Sequence, residues 1–298
     1  MTNTALPQLA ALEAHRGQPA MVFHATLNDE AVDVLYECLR RLGRIENLDL
    51  VLLTRGGYVT TTRRIALLLR EYAERLTILA PYRVRSSGTL LCLSADELIL
   101  GPLAELSPLD PGINSTEPPP PNAQGTVSAA DIRAFQQMAE DWFGVTDKED
   151  RLQVLAMVAQ RFFPTSLSAF YRSDLMTRQI AMELLAYQLP QAEAEVRQRI
   201  VDQLVGGYYA HDYIITRADA LSLGLNVRFT SPAEETLLWD LRQACQAQLA
   251  DAPGQAEREV VGLIASTTFS AQQVHRWRPP SQAMQAGLIS DVRWEIAS

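Results

Sequence analysis

The chain has 298 residues, of which 47% are hydrophobic and 20% are charged, and this balance suits one large globular domain or a domain with an appended piece. Its formal net charge is −9, so we expect neither nucleic acid nor an anionic membrane surface as a partner. The three cysteines, Cys38, Cys92 and Cys245, are far apart, which argues against a disulfide framework or a zinc site. The sequence shows no signal-peptide pattern and no long apolar run, so we expect a cytoplasmic protein without a membrane span.

Residues 20–100 alternate between apolar stretches and amphipathic stretches. Their periodicity predicts strands at 20–24, 48–53, 76–82 and 97–100, and helices at 28–43, 60–75 and 89–93. Apolar strands that alternate with helices indicate a parallel sheet covered on both faces, with its ligand site at the carboxyl ends of the strands. The predicted fold class is therefore α/β.

Two sets of side chains in this region are expected to have structural roles only. His24 ends the first strand and is predicted to be a core histidine with a satisfied hydrogen bond. Arg63, Arg64 and Arg70 follow the polar side of the second helix and are predicted to form its solvated face. The loops at the strand ends are therefore the expected place for a site.

The rest of the chain is predicted to add segments to this α/β core. A capping-box pattern at Thr216–Asp219 begins a short helix, and a strand is expected at 226–229. Short strands near the C-terminus suggest a small sheet or hairpin. The predicted organisation is an N-terminal arm at 1–19, the core at 20–113 and 205–230, a Pro-rich loop at 114–127, a helical segment at 128–204, and a β-containing C-terminal extension at 231–298.

Two loops at strand ends carry residues that suit acyl transfer. The first loop holds Gly56 and Gly57, which allow positive φ and a close approach of backbone N–H groups to a ligand. The second loop places Ser86 at a strand-to-helix turn, followed by Ser87 and Gly88. A helix start offers N–H groups and a positive dipole end to a developing oxyanion. A candidate nucleophile beside a Gly-Gly loop is the minimum set for acyl transfer.

Four segments in this order resemble the serine dehydrogenase proteinase family, a bacterial branch of the clan of signal peptide peptidase A and the Clp protease proteolytic subunit. They are LTRGG at 53–57, SSGTLL at 86–91, ADELILGPLAELSPLDP at 95–111 and HDYIITRADALSLGL at 211–225. The resemblance implies a Clp/crotonase-like α/β fold that assembles into homo-oligomers.

The same resemblance assigns roles to individual residues. It implies that Ser86 is the nucleophile and that Gly57 and Ser87 supply the oxyanion-hole N–H groups, while Gly56 and Gly88 shape the approach. Two positions depart from the family pattern. Arg55 stands where the family has proline, and a charged side chain there would alter substrate choice or block peptide binding. Ser87 leaves two adjacent hydroxyls as candidates, and the spacing to Gly88 favours Ser86.

The general base is less well defined by the sequence. No histidine stands near Asp110, where the Clp subunit has its own, and Lys148, the only lysine, lies between two acids and is predicted to be solvated. His211 is our candidate, because a neutral imidazole can accept a serine proton at physiological pH. The alternative for His211 is a loop histidine with a structural hydrogen bond. Asp110 would either orient an imidazole or form a turn.

The sequence therefore predicts a serine peptidase that acts on a peptide or protein substrate through an acyl-enzyme and needs no cofactor or metal. Two alternatives stay open. The first is a catalytically inactive Clp-like scaffold or peptide-binding subunit. The second is a crotonase-like acyl-CoA enzyme in which the Gly-Gly N–H groups hold a thioester oxygen, although the scarcity of lysine counts against it.

Overall fold

The structure is a computed structural model, and it describes residues 6–110, 129–161, 164–249, 258–278 and 289–297. Residues 114–127, which were predicted to form a Pro-rich loop, lie outside these ranges. The chain divides into two compact units. The first comprises Met1–Leu106, Leu184–Ala192 and Ile214–Ser298, and the second comprises Ser107–Glu183 and Glu193–Tyr213.

The helices and strands of the described residues follow one another in this order along the chain. They are α1 (Pro7–Arg16), β1 (Ala20–His24), α2 (Asp29–Leu42), β2 (Ile45–Leu53), α3 (Val59–Tyr72), β3 (Ala73–Ala80), α4 (Ser87–Cys92), β4 (Glu97–Leu100), α5 (Ala129–Phe143), α6 (Lys148–Arg161), α7 (Pro164–Gln188), α8 (Ala194–Gly206), α9 (Arg217–Ser222), β5 (Val227–Phe229), α10 (Pro232–Leu249), β6 (Arg258–Ser266), β7 (Ser270–Arg278) and β8 (Ile289–Ile296). The predicted α/β class is confirmed.

The first unit contains a sheet in which the described strands have the order β5-β4-β3-β2-β1-β6-β7-β8. Strands β1 to β5 are parallel, as predicted. In the register, His24 pairs with Leu53 and Ala80 pairs with Leu100, so the chain leaves β1 to β4 at one edge of the sheet. Both candidate loops therefore lie at the carboxyl edge, where a parallel sheet holds its ligands.

The C-terminal strands extend this sheet. β6 pairs antiparallel with β1, with Met21 opposite Ser266, and β7 and β8 follow as further antiparallel strands. A small sheet or hairpin was expected there, and β6 and β7 do form an antiparallel hairpin, but β6 also pairs with β1 and so joins the main sheet. This pairing satisfies backbone N–H and C=O groups at the edge of β1, and it joins segments that are distant in sequence.

The sheet packs against helices on both faces. Alternate strand residues point to opposite faces, and one face packs against α1 and α10. Its buried cluster includes Leu9, Val22, Val51, Leu238 and Leu241. α3 contacts β3 and α2 contacts β6, so these helices pack on strands of the same sheet. This packing makes the strand ends a rigid support for the two loops.

Two local predictions in the second helix were wrong. The helix was expected to run to residue 75, but α3 ends at Tyr72 and β3 begins at once, because Ala73 pairs with Ile45 of β2. Arg70 was expected on a solvated face. Instead its guanidinium forms an ion pair with Asp96 and stacks on Tyr187, 4.8 Å from the ring centroid. The carboxylate of Asp96 explains the difference, because it also accepts from the N–H of the Leu76 backbone.

The second unit is helical over its described residues, as predicted for this part of the chain. It contains α5, α6, α8 and the first part of α7. Asp174 of α7 forms ion pairs with Arg133 of α5 and, at 2.8 Å, with Arg178. In the parts of the chain that the structure describes, no helix combines the length and the apolar character that crossing a membrane requires.

Candidate active site

Ser86 has an unusual backbone conformation at the turn between β3 and α4. Its φ is 54° and its ψ is −123°, and among the described residues no other non-glycine residue has a positive φ. Such a conformation is strained for a residue with a Cβ and persists only where the surrounding structure holds it. The Ser86 side chain makes no capping hydrogen bond to α4, and the residue is partly accessible to solvent. The turn therefore presents this serine instead of using it as an ordinary helix cap.

Gly56 fits directly against the Ser86 turn. Its φ is 110°, and an ideal Cβ on Gly56 would lie 2.9 Å from the Cβ of Ser86 and 3.0 Å from the carbonyl oxygen of Arg85. The Oγ1 of Thr54 accepts a hydrogen bond of 3.0 Å from the Gly56 N–H. The positive φ and the lack of space both require glycine at position 56.

Gly57 is held on the other side of the same loop. Its two neighbours form hydrogen bonds with Leu27. The Leu27 N–H donates to the carbonyl oxygen of Gly56, and the Tyr58 N–H donates to the carbonyl oxygen of Leu27, both at 2.9 Å. An ideal Cβ on Gly57 would lie 2.1 Å from that carbonyl oxygen. The Gly-Gly loop is thereby fixed between Leu27 and the Ser86 turn.

Ser87 and Gly88 complete the contact between the two loops. The Ser87 hydroxyl is buried and donates a 2.8 Å hydrogen bond to the Gly57 carbonyl. Gly88 packs on β2, where an ideal Cβ would lie 2.5 Å from the Cγ2 of Thr54. The Ser87 hydroxyl is thereby occupied as a structural link between the two loops.

The two backbone N–H groups predicted for the oxyanion hole lie in this contact region. Within the described parts of the chain, neither Gly57 nor Ser87 donates its N–H to a hydrogen bond. Ser87 is the first residue of α4, where N–H groups have no partner within the helix. Two N–H groups without acceptors next to Ser86 are of the kind that can stabilise a developing oxyanion.

Three arginines, Arg55, Arg83 and Arg85, lie in the two loop segments. Arg55 is exposed and makes no ion pair with any described residue. Arg83 and Arg85 both pair with one carboxylate oxygen of Glu105, at 3.1 Å and 2.5 Å. Arg55 therefore contributes positive charge beside Gly56, as the sequence indicated.

The two remaining candidates belong to the second unit, in which each has its own environment. Asp110 is buried, and its Oδ1 accepts a hydrogen bond of 3.2 Å from the N–H of Ala130 at the start of α5. This contact gives Asp110 a role at a helix N-terminus, where a carboxylate is favourable. His211 is exposed on the segment after α8.

One known protein family matches a segment of this chain. Residues 17–131 match the family of ClpP-like SDH-type serine proteinases. The family resemblance predicted from the ordered motifs is thereby confirmed. The match contains both loops and Asp110, and it ends before the segment that carries His211.

Two curated relatives are uncharacterized proteins of Methanocaldococcus jannaschii. One is 26% identical over 212 residues, which cover 71% of this chain and 64% of that protein. The other is 26% identical over 197 residues, which cover 65% of this chain and 56% of that protein. The chain thus spans less than two thirds of the length of either relative.

Two solved protease structures can be superposed on 78% of this chain at low sequence identity. A mutant of the 1510-N membrane-bound stomatin-specific protease has a TM-score of 0.42 and 11% identity, with 78% of this chain and 83% of that chain covered. The ClpP protease catalytic domain from Plasmodium falciparum has a TM-score of 0.41 and 10% identity, with 78% and 95% covered.

Proposed function

We propose that this chain is a serine peptidase that hydrolyses peptide bonds through an acyl-enzyme on Ser86. The observation that carries the proposal is the positive φ of Ser86 at a strand-to-helix turn, packed against a Gly-Gly loop. A strained turn of this kind lifts a nucleophile out of the helix and exposes its hydroxyl to substrate. The match of residues 17–131 to a serine proteinase family supports the same chemistry.

In the proposed reaction the Ser86 Oγ attacks the carbonyl carbon of the scissile bond. The tetrahedral oxyanion is held by the N–H groups of Gly57 and Ser87, which have no other acceptor among the described residues. Gly56 and Gly88 permit the close approach of the two loops, because a side chain at either position would collide with its neighbour. Collapse of the intermediate expels the amine, and water then hydrolyses the acyl-enzyme.

We propose His211 as the general base and Asp110 as the group that orients it. His211 would accept the Ser86 proton during attack and return it to the leaving amine. The support for His211 is its place in the segment 211–225, which resembles the family. In this proposal the Asp110 carboxylate accepts from the His211 imidazole in addition to the N–H of Ala130.

The proposed substrate is a peptide or protein, and the proposed assembly is a homo-oligomer that encloses the site. Arg55 would select substrates at the mouth of the site, because it contributes a positive charge next to Gly56. A cytoplasmic location is part of this proposal, since the described cysteines Cys38, Cys92 and Cys245 are all buried free thiols, which suits a reducing compartment.

The test is covalent labelling of the purified full chain with a fluorophosphonate probe. We expect labelling of the wild type, none in Ser86→Ala, and a rate reduced by roughly 100-fold or more in His211→Ala. Ser87→Ala should keep labelling at Ser86 at a lower rate, because it loses only the link to Gly57. A folded wild-type protein that never reacts would favour the alternative of an inactive Clp-like scaffold or peptide-binding subunit.

A further inference from the structure

A cavity opens at the carboxyl edge of the sheet, in the first unit. It has a volume of about 210 Å³ and lies between the ends of β1 to β3 and one side of α10. His24 and Leu53 line it from the strands, Arg55 and Arg83 from the loops, and Arg242 from α10. The cavity is therefore next to the Gly-Gly loop but is formed by residues that the proposed peptidase chemistry does not use, apart from Arg55.

The charge in this cavity is positive and is only partly balanced. Its lining residues, all in the described part of the chain, include three arginines and no Asp or Glu. Arg83 is paired with Glu105, which also pairs with Arg85. Neither Arg55 nor Arg242 forms an ion pair with a described residue. Two guanidinium groups thus lack an anionic partner in one small cavity.

The Arg242 side chain is held in place. Its guanidinium carbon lies 4.2 Å from the ring centroid of Tyr82 and 4.7 Å from that of Trp239, and its Nη1 donates to the Oε1 of Gln243. Stacking fixes the plane of the guanidinium and leaves its remaining N–H donors directed within that plane. An arginine arranged in this way is prepared to bind a planar or tetrahedral oxyanion with two hydrogen bonds.

His24 adds a second polar group to the same wall. Its Nδ1 is buried and has no hydrogen-bond partner, so the prediction of a satisfied core histidine was wrong. Burial, together with the nearby charge of Arg242, lowers the pKa of His24 to about 4. A buried polar atom without a partner costs free energy unless a ligand or water satisfies it.

We propose that the cavity of His24, Arg55 and Arg242 is a binding site for a small anion that carries a carboxylate or phosphate group. The guanidinium groups of Arg55 and Arg242 bind the oxyanion, and the His24 ring forms part of the wall beside them. The small volume suits one anionic group or a small molecule, and it does not suit a folded partner.

Two kinds of ligand could supply the bound anionic group. One is a free small anion, which would act on the Gly-Gly loop through Arg55, since the adjacent Gly56 touches the Ser86 turn. The other is the carboxylate of a peptide substrate, and that source rests on the proposed peptidase function. The binding site itself stands on geometry and charge and does not depend on hydrolysis.

The experiment is isothermal titration calorimetry with the full-length Ser86→Ala variant, in which no acyl-enzyme can form. The probes are inorganic phosphate, succinate, and two short peptides that differ only in a free or an amidated C-terminus, all at fixed ionic strength. We expect saturable binding that weakens about tenfold or more in Arg242→Gln and in Arg55→Gln, as the loss of a charge-assisted hydrogen bond predicts. Arg44→Gln is the matched control, because Arg44 is exposed and lies before β2, at the other end of the sheet.

The outcomes distinguish a free anion from the carboxylate of a peptide substrate, and they distinguish anion binding from peptidase activity. Binding of phosphate or succinate identifies a free anion, and binding of only the peptide with the free C-terminus identifies a substrate carboxylate. Arg242→Lys should retain part of the affinity if charge at this position binds the ligand, which distinguishes binding from a loss of fold. Absence of binding by every probe, or equal affinities in Arg242→Gln and Arg44→Gln, would overturn the proposal. Fluorophosphonate labelling of the wild type tests the peptidase separately, so either proposal can fail alone.

Discussion

Gly56 lies against Ser86 so closely that an ideal Cβ on the glycine would lie 2.9 Å from the Cβ of the serine. The Ser86 turn and the Gly-Gly loop are therefore in direct contact. A side chain at position 56 would push the loops apart and would also have to adopt a φ of 110°. The geometry of the proposed site thus depends on this glycine.

Replacement of Gly56 by alanine should reduce the rate of fluorophosphonate labelling by about 100-fold or more, because small displacements of reacting groups are costly. The control is Gly17→Ala. Gly17 also has a positive φ, of 70°, but nothing lies within 4 Å of its ideal Cβ. It should keep the labelling rate and lose roughly 1 kcal/mol of stability from backbone strain. Equal labelling of the two variants would show that the contact with Ser86 has no role.

The close packing of Gly88 on Thr54 predicts that a side chain at position 88 destabilises the protein. An ideal Cβ on Gly88 would lie 2.5 Å from the Cγ2 of Thr54, so Gly88→Ala should lower the free energy of unfolding by about 1–3 kcal/mol. Thr54→Ser removes this methyl group and keeps the hydroxyl that bonds to Gly56. The double variant Thr54→Ser with Gly88→Ala should recover part of the loss, measured by urea denaturation. Additive losses in the double variant would argue against the collision.

A buried ion pair near the N-terminus should be important for stability. Asp49 of β2 is fully buried, and its carboxylate accepts from Arg16 at 2.8 Å and from Gln18 at 2.5 Å. Arg16→Ala would leave a buried carboxylate with only an amide partner, so we expect a loss of about 3–5 kcal/mol in the free energy of unfolding.

The control for this ion pair is Arg40→Ala. Arg40 is exposed and lies 3.6 Å from the carboxylate of Glu37, so its removal should cost less than about 1 kcal/mol. Chemical denaturation of both variants measures the two values. Similar small losses would mean that Asp49 is solvated or protonated in solution.

The lowered pKa of His24 predicts a pH dependence of stability. Its folded pKa is about 4 against an ordinary value of 6.5, so between these values the unfolded chain binds more protons than the folded chain. The stabilisation is therefore fully present above pH 6.5 and is lost as the pH falls toward 4, by about 3 kcal/mol in total. His24→Gln should remove this component from a denaturation series in a phosphate-free buffer.

Nuclear magnetic resonance titration of the histidine rings gives the direct check. One ring should titrate near pH 4 in the wild type, and its signal should disappear in His24→Gln. Succinate or phosphate, if bound beside His24, should move that midpoint upward because a negative charge favours the imidazolium. A titration of His24 near pH 6.5 without any added anion would contradict the buried environment.

Much of the α/β core could be predicted from the sequence. Strand β1 at Ala20–His24 and strand β4 at Glu97–Leu100 match their predicted bounds, because each is a short apolar run with clear ends. The helix start at Thr216 was also predicted, and both hydrogen bonds of its capping box with Asp219 are present. Local patterns of this kind depend on neighbouring residues alone.

The features that were missed depend on distant residues. The pairing of β6 with β1 joins two segments that are far apart in the sequence, and no local pattern in either strand specifies the other. The role of Arg70 depends on Asp96, and the environment of His24 depends on Arg242 of α10. The Ser86 turn was identified from its Ser-Ser-Gly context, but neither its positive φ nor its close packing against Gly56 can be inferred from that context.

Mass-spectrometric mapping of the fluorophosphonate adduct on the wild-type protein tests the central claim most directly. The account predicts one adduct, on Ser86, with fragment ions that exclude the adjacent Ser87. Ser87→Ala should carry the adduct at the same position. An adduct on Ser87 or on any other residue, or no adduct on a folded sample between about pH 7 and pH 9, where an ordinary imidazole is largely neutral, would contradict the assignment of Ser86 as the nucleophile.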